Sequence, residues 1–484
     1  MASLDLTDAY YSFSISPDSQ KYLKFQVDSQ FYKFITLPNG LSFAPRILSK
    51  LMKTVYSTLR TRGLVSSGYL DDSFLLGDSF VQCQTNVNNT YTLFGDLGFN
   101  VSKEKSVTQP TQVLEHLGFV LNSINMTVSL TREKIDSITR LAQDILHRPT
   151  CSIREAAQLI GTLVSSSPGV EYGPLFYKQL EIEKIDALKK HKGSFEMQMQ
   201  FSELARSDIH WWAEKSWFYV KTISHGNPHF KLTTDASLEG WGAYRDGMEP
   251  TGGRWLAREI AENKHINCLE LEAAKLGLQA LCAKEKDVHI HLQLDNVTAV
   301  TFLNNMGGTH SKPCKKVARD IWLWCMRRNI WLTATHIPGI QNTTADKFSR
   351  KFQDRTEWQL KPNVFNQLIK RWGKPEIDLF ASRHNYQFKP FVSWHADPDA
   401  YATDAMCLSW KNKYVYIFPP FSMLSRILQK LQEDQARALV IAPLWRTQVW
   451  FPKICQMLIS QPVLLPKEVS LLQLPHNRSK LHPL

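Results

Sequence analysis

The sequence predicts a multidomain protein of mixed α+β and α/β type, and three observations carry that prediction. Its 484 residues suffice for about three or four domains. Hydrophobic residues make up 43% and charged residues 21%, a core-forming composition. Short apolar or alternating runs are interleaved with stretches whose apolar residues recur every three or four positions, so strands and helices are mixed along the chain.

Residues 1–122 combine LKFQV, FYKFITL, YLDDSFLL and HLGFVL with a helical stretch, PRILSKLMKTVYSTLRTRG, and read as α+β. From Leu130 to about Lys221 helical patterns dominate. TREKIDSITRLAQDILHR opens on a threonine cap with glutamate two residues on, and SIREAAQLIGTLVSSS follows. SELARSDIHWWAEKSW ends in an aromatic cluster, in which Trp211, Trp212 and Trp217 are expected in the core. EIEKIDALKKHKGS reads as a solvated helix face or a linker. A second α/β unit runs from about Phe230 to Arg350: FKLTTDASLEGWGAYR as strand, HINCLELEAAKLGLQALCAK as helix, then VHIHLQLD and IWLTATHIPG as strands. PEIDLFA, KYVYIFPPFS and RALVIAPLW in residues 353–484 are strand-to-loop patterns separated by helices.

The net charge of +12 favours a polyanionic partner such as nucleic acid over a generic basic surface only in company with other signals. Eight cysteines are scattered without a CxxC pair, which predicts no zinc ribbon, no disulfide framework and a reducing intracellular compartment, cytoplasm or nucleus. No apolar run reaches the ~18 residues of a membrane span, and no basic and apolar leader opens the chain.

Asp5 in LDLTDAYYSFSI and the Asp71–Asp72 pair in GYLDDSFLLG form the first constellation. Singly, each is most economically a turn or cap residue. Together they suit a phosphoryl-transfer site, where carboxylates from separate strand ends hold two divalent ions ~4 Å apart. LDLTDAYYSF, FITLPNGLSFAPRILSKLM, GYLDDSFLLG, LGFNVSKEKS and HLGFVL follow in fixed order and compact spacing, and this series resembles the palm motifs of reverse transcriptases. The resemblance implies Asp5 and Asp71 as principal metal ligands, with Asp72 the neighbouring acid. It puts Tyr10 against the sugar 2′-position, and Asn39 and Gly40 in the turn that lines the nucleotide pocket and contacts template, with Pro45 stiffening the helix behind. Lys105 matches a general acid to pyrophosphate, and a plain surface lysine fits it equally well. Leu117, Gly118 and Phe119 match the hairpin that grips the primer end. The chain starts at the first palm strand, so the fingers that hold the incoming triphosphate are expected to be truncated and polymerisation impaired.

The second constellation is Asp235 in TTDASLEGWGA, Glu270 in ELEAAKLGL, Asp295 in LQLDN, and His336 ten residues before Asp346 in HIPGIQNTTADKFSR. Four carboxylates from four elements plus a loop histidine suit metal-assisted phosphodiester hydrolysis, with the histidine shuttling protons. The pattern resembles ribonuclease H in order and context, which implies Asp235, Glu270, Asp295 and Asp346 as ligands and His336 as the assisting group. Glu272 rivals Glu270, but residues two apart on a helix face nearly opposite ways, and the Leu-x-Ala-Ala that follows fits Glu270.

REAAQLIGTLVSSSPGVEYGPLFYKQLE, IHWW, the HIPG box and the DASLEGWGA hairpin are similar to DIRS-type retrotransposons, and PEIDLFASRHNYQFKPFVSW with FPPF resembles the methyltransferase-like segment ending such polyproteins. Phe418 stands where a hydrogen-bond acceptor is needed, so that segment is expected to be inactive. The resemblance thus implies a reverse-transcriptase palm at 1–123, a helical thumb and connection at 124–228, a ribonuclease H domain at 229–352 and a methyltransferase-like segment at 353–484. It implies two Mg²⁺ or Mn²⁺ ions per site and, as partners, RNA template, DNA primer, dNTPs and RNA–DNA hybrid, with no membrane. The alternative is a catalytically dead remnant that at most binds nucleic acid. The oligomeric state is not legible.

Overall fold

In the strand Ala2–Thr7, Ala2, Leu4 and Leu6 are buried while Ser3, Asp5 and Thr7 lie on the other face. That is the period of two expected of a half-buried strand, and it puts Asp5 on the face opposite the core. This computed structural model describes residues 1–262, 265–352, 357–476, 480 and 482. The chain divides into two compact units, Met1–Ser224 and His225–Leu484, both of mixed α/β character.

In the first unit, Ala2–Thr7 is an inner strand of a four-stranded antiparallel sheet, ordered Ser66–Tyr69, Asp72–Leu75, Ala2–Thr7, Asn100–Val107. Two helices cover its apolar face. Ala44–Thr61 has Pro45 in its first turn and buries Leu48, Met52, Tyr56 and Leu59, a stripe at three-to-four spacing; Phe80–Asp96 is capped by Ser79. Leu4 and Leu6 share this core with Leu48, Met52 and Phe94. A second sheet, ordered Lys221–Thr222, Thr127–Leu130, Phe119–Asn122, Val113–His116, leads into the helices Arg132–Leu146, Ile153–Ser166, Lys178–Lys190 and Glu203–Lys215. The Thr131 cap expected from sequence is present, and Ser152 with Glu155 closes a capping box. The charged stretch at 181–194 is largely helix. Trp211 and Trp212 are buried, but Trp217 is 57% exposed, because it follows the helix that carries the other two and leaves their face.

In the second unit, FKLTTDASLEGWGAYR is two strands, Phe230–Ala236 and Gly240–Arg245, rather than one. The five-stranded sheet runs Thr251–Arg254, Gly240–Arg245, Phe230–Ala236, His289–Leu294, Trp331–His336, antiparallel among the first three and parallel thereafter. Helix Ile266–Leu281 lies on one face, so close that a Cβ on Gly277 would sit 2.9 Å from Ala243 Cβ. Helix Thr343–Arg350 lies on the other, where a Cβ on Gly242 would sit 2.1 Å from the Ala345 carbonyl oxygen. Adjacent residues of one strand, Gly242 and Ala243, thus meet opposite helices.

Helices Ile266–Leu281 and Lys312–Met326 also pack together and bring Cys268 and Cys314, 46 residues apart, into a disulfide with Cα atoms 4.9 Å apart. Scattered cysteines led to the expectation of no disulfide framework, and this one bridge was not foreseen, because sequence spacing cannot show which cysteines two packed helices bring together. The six others are free thiols.

The boundary expected at 352/353 adjoins residues 353–356, which lie outside the described residues. Beyond them stands a three-stranded parallel sheet, Ile377–Asp378, Tyr414–Ile417, Arg437–Val440, with helices Pro362–Trp372 and Leu424–Asp434. Among the described residues no helix is long and apolar enough to cross a membrane.

Candidate active sites

Strand pairing sets the first cluster. Asp5 pairs with Asp72 across antiparallel strands, so both side chains share the open face, while Asp71 falls in the two-residue loop between Tyr69 and Asp72. Leu70, beside it, adopts φ 56°, a strained conformation for a leucine. The loop is tied back by the Leu6 N–H, which donates to the Asp71 carbonyl at 3.0 Å, and the Asp5 N–H donates to Ser106 Oγ at 3.0 Å. Burial raises the Asp5 carboxyl above its ordinary value; Lys105, exposed on the neighbouring strand, opposes this, and Asp72 and then Asp71 reinforce it. Tyr10 sits in the short helical turn Ala9–Ser12, its hydroxyl pushed up by burial and then by Asp71 and Tyr69. Gly68 has a local reason: a Cβ there would stand 2.0 Å from the Tyr56 hydroxyl, which bonds Ser73 Oγ at 2.7 Å beneath the acidic loop.

Asn39 and Gly40 lie exposed in the turn before helix Ala44–Thr61, Gly40 with φ 92°. Leu117 and Gly118, both at positive φ, form the two-residue turn between strands Val113–His116 and Phe119–Asn122. Lys134 braces that turn, its Nζ 3.8 Å above the Phe119 ring.

The second cluster is tighter. Among the described residues, one set of three His, Cys, Asp or Glu side chains has its ligand atoms all within 4.8 Å of one another: Asp235, Glu270 and Asp295. Asp5, Asp71 and Asp72 do not close to that degree. Asp235 comes from strand Phe230–Ala236, Glu270 from the second turn of helix Ile266–Leu281, and Asp295 follows strand His289–Leu294 directly. Asp235 and Glu270 are each 3% exposed, and Glu270 Oε2 is buried without a hydrogen-bond partner. Burial raises Asp235 to about 6, with Ser349 opposing and Asp295 and Asp346 adding. Burial raises Glu270 to about 9, with Asp235 and Asp295 adding. Such a set is short of positive charge and made only of hard oxygen donors, a fit for Mg²⁺ or Mn²⁺.

Asp346 is close enough to raise Asp235 but stands outside the three, its Oδ1 taken at 2.6 Å by Arg350 one turn on. His336 is exposed at the end of strand Trp331–His336, paired with Leu294, one residue short of Asp295. The loop after it runs by Asp295, where a Cβ on Gly339 would stand 3.2 Å from Oδ2. Glu272 is equally buried, but its carboxylate meets Lys275 Nζ at 2.7 Å on another side of the helix.

Sequence reasoning missed the residues that hold Asp235. Ser349 Oγ donates to its Oδ2 at 2.6 Å and Asn342 Nδ2 to its Oδ1 at 3.2 Å. The signal was present in Ser349 lying one helical turn beyond Asp346. It was also present in the glycines of GWGAYR, whose missing side chains admit the helix.

Residues 1–121 match the family model described as reverse transcriptase (RNA-dependent DNA polymerase), so the chain carries a reverse transcriptase domain. The "Enzymatic polyprotein" of Figwort mosaic virus is 22% identical over 374 residues, 72% of this chain and 50% of that protein. "Protein P" of Heron hepatitis B virus is 24% identical over 131 residues, 27% of this chain and 17% of that protein. The chain therefore spans half or less of the length of these curated relatives. Among solved structures, the foamy viral protease-reverse transcriptase in complex with RNA/DNA hybrid is 15% identical, with a TM-score of 0.40, covering 69% of this chain and 43% of that one.

Proposed function

We propose that the chain is a retroelement reverse transcriptase of DIRS type that pairs RNA-directed DNA polymerisation with hydrolysis of RNA in RNA–DNA hybrids. The observation that carries the hydrolytic half is the close set of Asp235 and Glu270, both buried, with the half-buried Asp295, Glu270 Oε2 being unpartnered. Those three, with Asp346 at the rim, would hold two Mg²⁺ or Mn²⁺ ions. When bound, the ions supply charge neutralisation at phosphate and a more acidic water. Asp235 and Glu270 fix the floor of the site, their burial keeping bulk water from it. Asp295 and Asp346 face the open side, and His336, exposed beside Asp295, takes up and releases protons as product leaves. Glu272 has no part in this, being committed to Lys275.

The polymerising half rests on the matched domain. Asp5 and Asp72 share one face, Asp71 stands on the strained loop beside them, and these acids would hold the second pair of ions. Tyr10 reads the sugar, Asn39 and Gly40 line the nucleotide pocket, Leu117, Gly118 and Phe119 steady the primer end, and Lys105 faces Asp5 as proton donor to the leaving pyrophosphate. In this reading, residues 1–123 are palm, 124–228 thumb and connection, 229–352 the ribonuclease H domain and 353–484 the methyltransferase-like segment. A net charge of +12 suits template, primer and hybrid alike.

The test is cleavage of labelled RNA within an RNA–DNA hybrid. Cleavage is expected with Mg²⁺ or Mn²⁺ and not with chelator, falling by about a hundredfold or more in Asp235→Asn while persisting in Asp71→Asn. An Asp235→Asn protein that cleaves as fast as its parent defeats the reading. Hybrid binding with neither cleavage nor dNTP incorporation would leave the remnant alternative standing instead.

A further inference from the structure

Asp235 is held by more than its strand. Ser349 Oγ donates to Oδ2 at 2.6 Å, while Asn342 Nδ2 donates to Oδ1 at 3.2 Å and to the Thr234 carbonyl at 3.0 Å. Each carboxylate oxygen thus carries a fixed donor, which blocks rotation of the group in either sense. The donors are themselves immobilised. Ser349 is 0% and Asn342 1% exposed, and Ser237 Oγ donates to the Ser349 carbonyl at 2.6 Å. Gly242 lets the helix seat this deeply, since a Cβ there would stand 2.8 Å from the Ser349 nitrogen. Ser349 Oγ also lies 2.9 Å from the Asp346 carbonyl, but a hydroxyl has one proton, and the shorter bond to a carboxylate is the stronger claim on it.

We propose that Ser349 is a positioning residue, which with Asn342 as second pin aims the Asp235 carboxylate at the point it shares with Glu270 and Asp295. This rests on reading those three acids as a divalent-cation site. The physical need for the pin is aim. The three acids offer ligand atoms that all lie within 4.8 Å of one another, and an aspartate free to rotate would lose that common point. Hydrogen bonds behind metal ligands are worth about 10–100-fold in affinity, so losing this one belongs in the affinity for the ion before it belongs in turnover.

The test compares Ser349→Ala and Ser349→Cys with the parent, all as the full chain. Mn²⁺ binding is measured by calorimetry, and the component that Asp235→Asn removes is assigned to this site. The Mg²⁺ concentration giving half-maximal hybrid cleavage and the melting temperature are read in parallel. Cysteine fills the space of serine but donates only weakly, so a loss shared by both variants is the loss of the bond. The expected result is Mn²⁺ binding about tenfold weaker in both, with cleavage recovering to within a few-fold of the parent at saturating Mg²⁺. Cysteine binding Mn²⁺ as serine does would overturn the proposal, because packing alone would then account for the site; so would parental affinity in both variants. If alanine prevents folding, the cysteine protein decides the matter by the same criterion. A parent that neither binds Mn²⁺ through Asp235 nor cleaves hybrid overturns the reading of the acidic site, and the pin with it.

Discussion

Glu270 and Glu272 are equally buried, carry the same carboxylate and stand two residues apart, yet they meet opposite company. Glu270 faces Asp235 and Asp295; Glu272 faces Lys275. On the proposed reading, Glu270→Gln is expected to lower hybrid cleavage by about a hundredfold or more, since an amide cannot give a bound cation the anionic oxygen that the carboxylate gives. Glu272→Gln is expected to leave cleavage within a few-fold and to cost about 1–3 kcal/mol of stability, because Lys275 is left facing a neutral amide. Parallel cleavage assays and melts of the two variants check both halves, and equal losses of cleavage would refute the assignment. The sequence singled out the acids by the order and context of their motifs, and the structure brings three of them, Asp235, Glu270 and Asp295, together. Ser349 and Asn342 were not legible in this way, since a small polar residue near a helix has many ordinary reasons to be there. Trp217 shows the converse failure: its chemistry suggested core, and only the end of its helix decides that it is 57% exposed.

At the scale of elements, both sites depend on which face a residue presents. In Ala2–Thr7 the burial alternates residue by residue, which places Asp5 opposite the core. The seating of helix Thr343–Arg350 could not be read from the sequence, because it depends on side chains that are missing. A Cβ on Gly242 would stand 2.1 Å from the Ala345 carbonyl, so Gly242→Ala must lift the helix that carries Ser349 and Asp346. Overpacking of this kind costs about 1–3 kcal/mol. The expected outcome is a lower melting temperature together with a loss of hybrid cleavage larger than the loss of stability explains. Gly95, inside helix Phe80–Asp96, is the control, since a Cβ there would meet nothing within 4 Å. Gly95→Ala is expected to be neutral or stabilising by up to about 1 kcal/mol. A Gly242→Ala protein with parental melting and cleavage would show that the helix seats itself by other means.

At the scale of the molecule, the unit His225–Leu484 buries several acids, and the protons held by Asp235, Glu270 and Asp378 couple its folding to pH. Asp378, at the end of strand Ile377–Asp378, is raised to about 7 by burial, against the N–H groups of Gln387 and Phe380 that donate to it. Its folded form therefore keeps a proton that the unfolded chain releases near 3.8. The stability this contributes is full below about 4 and is lost as pH rises through 7. Asp235 and Glu270 act in the same sense, up to about 6 and about 9, and bound Mg²⁺ would offset those two but not Asp378. His384, lowered to about 4 chiefly by burial and then by Arg383, acts oppositely between about 4 and its ordinary 6.5. The bare trend is thus a sum, and a difference isolates one member. The Asp378→Asn protein is expected to gain stability relative to its parent steadily between pH 4 and 7 and to hold a constant advantage above that, in Mg²⁺ as in chelator. Melting curves of both proteins across pH 4–9 check it, and a difference that does not change between pH 4 and 7 would show that Asp378 is ionised in the folded unit throughout.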